Sequence, residues 1–197
     1  LSDDFNAETL VKGNLDSIYH NVHAEEYVAM CETTTEECIA DYEEAIQIEV
    51  DYFIYYFEFD ETMITDSTHE RITNLYKKIY DHSKYEIGSV SEAGDNYSVS
   101  VTIYPIDIID KLLTDDYDDF YLSYEEKYNN GDSAEELEEY WQNGILEMME
   151  SHLNSIDYLD SVTLSVQVIP VEETTDTVYY AIDDNDFATI NEYIIAY

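Results

Sequence analysis

The stretch Asp95–Ile106, DNYSVSVTIYPI, decides how the rest of the chain is read. Tyr97, Val99, Val101 and Ile103 alternate with Ser98, Ser100, Thr102 and Tyr104. Alternation of period two sends successive side chains to opposite faces, which describes a half-buried strand. Pro105, with no N–H to give a ladder, closes it. A near copy lies downstream, where Ser165-Val166-Gln167-Val168-Ile169-Pro170-Val171 echoes the seven residues from Ser100 to Ile106.

Each strand has a neighbour. Tyr85, Ile87 and Ser89 alternate ahead of it, and Ala93-Gly94-Asp95-Asn96 supplies the turn of a hairpin. Val162, Leu164, Val166 and Val168 form a third strand. Glu172–Asp176 then turns the chain into a fourth, Thr177–Ile182, with Val178, Tyr180 and Ile182 on one face. The predicted fold is therefore α+β: an antiparallel sheet of about four strands in two hairpins, with helices packed on one face and a helical N-terminal part. It is expected as a single domain over residues 1–197, helical over 1–82 and sheet-containing over 83–197, with two intervening helices.

The helices follow from the 3.6-residue period. Val11, Leu15, Ile18 and Val22 mark one over roughly residues 7–22, weakened by Gly13, and a short one follows over 24–31. Thr34 and Glu37, at capping-box spacing, open the longest helix. Its main stripe is Ile39, Tyr42, Ile46, Val50, Phe53 and Phe57. A second stripe, Ile48, Tyr52, Tyr55 and Phe59, lies nearly opposite. A helix apolar on two faces is either sandwiched or offers one face to a partner.

Ser67…Glu70 gives another capping box before Ile72, Leu75, Tyr76 and Ile79. Lys77 and Lys78 then suit the negative end of that helix. Apolar residues at helical spacing run from Ile106 to about Tyr128. Ser133 and Glu136 cap a further helix lined by Leu137, Trp141, Ile145, Met148 and His152. Asp183–Asp186 caps a last helix carrying Phe187, Ile190 and Ile194.

Seven Lys and Arg face 47 Asp and Glu in 197 residues, a formal charge of -40. Such a surface repels phosphate backbones and anionic headgroups, which argues against direct nucleic-acid or membrane-surface binding. The plainest reading is a solvated coat suited to a salt- or divalent-rich medium. Two sharper ones are a calcium-dependent fold or contact and a mimic of nucleic-acid charge. The longest uninterrupted apolar run, Tyr52–Phe57, is far short of the roughly 20 residues a membrane span needs.

Cys31 and Cys38 flank a turn that could bring their sulfurs together, so the pair is read either as a disulfide of an oxidising compartment or as two free thiols. For calcium, the oxygen-rich runs are Asp115–Asp119 and Asp183-Asp184-Asn185-Asp186, and the second is the better candidate because loops can wrap an ion. His20 and His23 with the cysteines match no strong zinc spacing. The nucleophile elbow, zinc-protease helix, phosphate loop and dinucleotide fingerprint are all missing from the sequence. With so many acids, a carboxylate pair able to do acid–base work discriminates nothing.

The helices that lead the chain, the acidic composition with 21 tyrosines, the passage KKIYDHSKYEIGSV and strands ending in Ile-Tyr-Pro-Ile form a recognisable style. In these the chain resembles the mature, soluble part of lipoproteins of unknown function that Gram-positive bacteria, notably gut clostridia, display outside the membrane. The resemblance implies an extracytoplasmic, cell-surface location, with a lipid anchor upstream of Leu1, and brings no catalytic residues.

The leading expectation is a non-enzymatic binding domain for a protein, peptide or glycan, engaged through Ile48, Tyr52, Tyr55 and Phe59. It needs no cofactor, with calcium as the one ion to consider. The alternatives are a calcium-dependent structural or adhesion module and a hydrolase built on a carboxylate pair.

Overall fold

The computed structural model describes residues 5–174 and 177–197, without the side chains of Ala93 and of residues 172–178. The fold is α+β, with one four-stranded antiparallel sheet of order β1-β2-β3-β4. Its strands are β1 (Lys84–Ala93), β2 (Asn96–Tyr104), β3 (Val162–Thr174) and β4 (Thr177–Ile182). The helices are α1 (Ala7–His20), α2 (Glu25–Met30), α3 (Thr35–Tyr56), α4 (Asp66–Tyr80), α5 (Ile108–Lys111), α6 (Tyr117–Asn130), α7 (Ala134–His152) and α8 (Asp184–Ile194). Two compact units divide the chain within α3. One holds residues up to Glu44 with Ser83–Pro105 and Tyr158–Ile195; the other holds Ala45–His82, Ile106–Asp157 and Ala196–Tyr197.

The first unit contains the sheet. Val99, Val101 and Ile103 of β2 and Val166 and Val168 of β3 are buried, and α1 and α8 pack on that face. The opposite face carries hydroxyls: Ser98 meets Ser165 at 2.7 Å and Thr102 meets Thr163 at 2.9 Å. The echoed segments lie beside each other, with Ser100 opposite Ser165.

The two echoed prolines differ in setting. Pro105 follows the end of β2, whereas Pro170 lies inside β3, opposite Tyr180. Pairing with β2 stops at Val168, so the missing N–H of Pro170 interrupts no β2–β3 ladder. β3 runs on to Thr174, with Glu172 paired to Val178, so the strand continues past Glu172, where the turn is expected to begin; Thr175, Asp176 and the side chain of Val178 lie outside the described residues.

Gly13 does more than weaken α1. A Cβ there would fall 2.4 Å from Cγ of Tyr27, so the missing side chain is what lets the buried Tyr27 ring of α2 lie on α1.

The second unit is helical. Ile46, Val50, Phe53, Ile72, Leu75, Tyr76, Ile79, Ile145, Leu146 and Met149 are buried in it. Several local expectations change here. The N-cap of α4 is Thr65, which accepts from the Thr68 N–H at 3.1 Å, and the box expected at Ser67…Glu70 does not form.

The helix expected from Ile106 is broken by a π-helical turn at Leu112–Asp116, where the Tyr117 N–H reaches back to Leu112 O. On α7 the buried set is Leu137, Gln142, Ile145, Leu146 and Met149, while Trp141 and Met148 are half-exposed. Repeated steps of four drift around a helix, and only alternate steps of three and four keep to one face. Ile39 is likewise exposed, although the rest of its predicted stripe is buried.

Candidate functional site

The face predicted on α3 is exposed in part. Ile48, Tyr52 and Tyr55 are 61%, 45% and 77% accessible, and they recur at helical spacing on one side. Phe59 does not belong to them. It is 5% exposed, its ring standing edge-on to Phe53 at 5.5 Å. The helix ends at Tyr56, and Glu58 takes the left-handed conformation, φ 55°. The Phe59 N–H then bonds Ile54 O at 3.0 Å and the Glu58 N–H bonds Tyr55 O at 3.2 Å, the two bonds of a Schellman ending. That turn carries Phe59 back into the core.

Tyr52 is braced from below. The Tyr197 ring meets it edge-on at 4.7 Å and meets Tyr56 at 4.9 Å. The hydroxyls of Tyr197 and Tyr76 are hydrogen-bonded to each other. Glu49 accepts from the Tyr80 hydroxyl at 3.1 Å and the Tyr197 hydroxyl at 3.5 Å. Burial pushes the Glu49 carboxyl above its ordinary range, against these two hydrogen bonds, which lower it.

The other predicted residues have structural surroundings. Cys31 and Cys38 are free thiols in the structure, Cys38 buried at the start of α3. Cys31 is half-buried against Tyr27, and burial raises its thiol pKa. Asp183 caps α8, accepting from the N–H groups of Asn185 at 3.0 Å and Asp186 at 3.4 Å.

Asp186 in turn accepts from the Gln167 N–H at 2.6 Å, while Asp184 and Asn185 are exposed in the first turn of α8. Carboxylates facing backbone donors in this way do not converge on one point. Among the described residues no three His, Cys, Asp or Glu side chains gather as metal ligands. His23 uses both ring nitrogens locally, on Ser17 at 3.0 Å and Asn21 at 2.8 Å.

A groove that no spacing in the sequence marks lies between α6 and α7. Its volume is about 650 Å³, within the range of small-molecule sites. Phe120 and Tyr140 form its floor, stacked at 5.3 Å and 20°. Gly144 makes this possible, because a Cβ there would fall 2.0 Å from the Phe120 ring.

Lys127 Nζ lies over the Tyr140 ring, 4.8 Å from its centroid, and 3.6 Å from Asp132 Oδ2. Glu136, Glu139 and Glu147 add carboxylates along α7. Asp116 closes one side and bonds His152 Nε2 at 2.6 Å. Asp116 lies in a run weighed for calcium and Glu136 in a capping box, and only the packing of α6 on α7 joins them to the other groove residues.

No protein-family model matches the sequence, and comparison with curated proteins gives no match. Among solved structures the fold is similar to that of a Bacillus subtilis protein described as a "putative lipoprotein" (ycdA), with a TM-score of 0.65 at 16% identity. The likeness covers 97% of this chain and 56% of that one, so the chain spans little more than half of its structural neighbour's length. It is a likeness of fold. Among the described residues no helix is long and apolar enough to cross a membrane.

Proposed function

We propose that the chain is a non-enzymatic, extracytoplasmic binding domain that docks a partner protein through the outer face of α3. The observation that carries this is the uncovered run of Ile48, Tyr52 and Tyr55, large side chains that a folded protein ordinarily places inside or at an interface. A protein surface suits the face better than a sugar. The Tyr52 ring is inclined 38° to Tyr55 and 34° to Tyr56, so the rings make no flat platform for a pyranose.

The location outside the membrane, with a lipid anchor upstream, draws support from the fold shared with a protein described as a lipoprotein. The gut clostridial affinity rests on the style of the sequence alone.

The test is a photo-crosslinking side chain placed at position 55 in cells of the source organism, with a second at exposed Glu26 as control. A discrete adduct is expected from position 55 only, competed by excess unlabelled domain and not by its Ile48→Ser/Tyr55→Ser variant. Adducts equal at both positions, or competed equally by that variant, would remove the α3 face as the docking surface.

A further inference from the structure

We infer that the groove between α6 and α7 is a binding site for a linear aliphatic polyamine. The groove already holds one alkylammonium, that of the chain itself. Lys127 lays its amino group on the Tyr140 ring and beside Asp132, the pairing of aromatic face and carboxylate that a ligand ammonium would find. Lys127 serves only one end. Glu136, Glu139, Asn143 and Glu147 recur at three and four residues along α7 and line the groove in a row. From Glu136 to Glu147 the row runs for ~16 Å.

Among the described residues Glu139 and Glu147 form no salt bridge, and both are exposed. Arg71, which lies within electrostatic reach of Glu147 and donates to Asn143 Oδ1 at 3.1 Å, is held by Glu150 through two bonds of 2.8 and 2.7 Å. Glu136 stays ionised: the N–H and hydroxyl of Ser133 bond its carboxylate and hold it below the usual range.

Charge complementarity selects a cation, and the floor selects its kind. A small hydrated metal ion wants converging oxygens, whereas these carboxylates are strung along a helix beside the stacked rings of Phe120 and Tyr140. An extended chain of ammonium groups separated by methylenes satisfies both features, its charges on the row and its methylenes on the rings.

Titration calorimetry with spermine, at near-physiological ionic strength, tests the assignment on the whole chain. One saturable site is expected. Glu139→Gln/Glu147→Gln should weaken it about tenfold, and Tyr140→Leu should also weaken it. Lys127→Gln should tighten it by removing the resident ammonium.

The control is Glu25→Gln/Glu26→Gln, which removes the same charge from exposed positions on α2 and should change nothing. Equal weakening by both double variants would mean diffuse attraction to the acidic surface and would overturn the site. Equal competition by the compact trivalent hexaamminecobalt ion, or a groove-dependent response to oligolysine with none to spermine, would also overturn it. The paired glutamates are exposed, so their variant reads binding without putting the fold at risk.

Discussion

Phe59 stands edge-on to Phe53, six residues behind it, because Glu58 adopts a left-handed conformation just past the end of α3. Trp141 supports the same ending by donating its indole N–H to Phe57 O at 2.7 Å. A non-glycine residue there bears a steric cost, and a carboxylate at a helix C-terminus faces the negative end of the dipole. Glu58→Gly should therefore stabilise the protein by about 0.5–1 kcal/mol, after the entropy a glycine loses on folding. Thermal or urea melting of the two proteins checks this, and a loss of stability would refute the account of the turn.

The same relationship separates exposed positions from core within one predicted stripe. Ile48→Ser and Tyr55→Ser, at exposed positions, should each change stability by no more than about 0.5 kcal/mol. Phe59→Ala should cost about 3–5 kcal/mol, the range for deleting a buried aromatic ring. Chemical denaturation of the three variants gives the comparison. A large loss at Ile48 or Tyr55 would mean that their face is structural.

What the sequence made legible was whatever repeats locally. The alternation in β2 gave its inner face, and the Gly94 hairpin and the capping box at Ser133 and Glu136 stand where their residues put them. Helix endings were unevenly legible. Gly131 ends α6 with a left-handed residue and α2 ends at Met30, one residue short of the expected bound, but Glu58 after α3 is left-handed without glycine. No local signal distinguishes Glu58 from helix surface, so the apolar period runs on to Phe59. The α6–α7 groove needed more than period. Its floor depends on Phe120 lying over Gly144, a contact between residues on separate helices that spacing does not encode.

Gly13 shows how close approach can override propensity. In an exposed helix, replacing glycine with alanine gains about 1 kcal/mol. Here the new methyl would meet Cβ and Cγ of Tyr27, atoms too near the backbone of α2 to swing aside. Gly13→Ala should therefore destabilise the protein by about 1–3 kcal/mol, the usual cost of overpacking. A melting temperature equal to or above that of the wild type would show that α2 shifts freely on α1.

Glu49 makes a prediction about pH. Burial raises its carboxyl pKa in the folded protein above the unfolded value near 4.5, so the folded state binds the proton more tightly. The stability linked to that proton is fully present below pH 4.5 and is lost as pH rises through the folded value. Above the folded value the group is a buried anion held by two phenols, at 3.1 and 3.5 Å.

Glu49→Gln keeps an oxygen for Tyr80 and removes the charge. The variant should melt above the wild type at pH 7, and the difference should shrink towards zero as the pH falls below 4.5. Comparing the two proteins at each pH cancels the titration of the many other carboxylates, which both share. A gap that stays constant across the range would mean that the substitution acts through packing and not through the proton. A variant less stable at pH 7 would mean that the anion, with Tyr80 and Tyr197 donating to it, is the favoured form of this cluster.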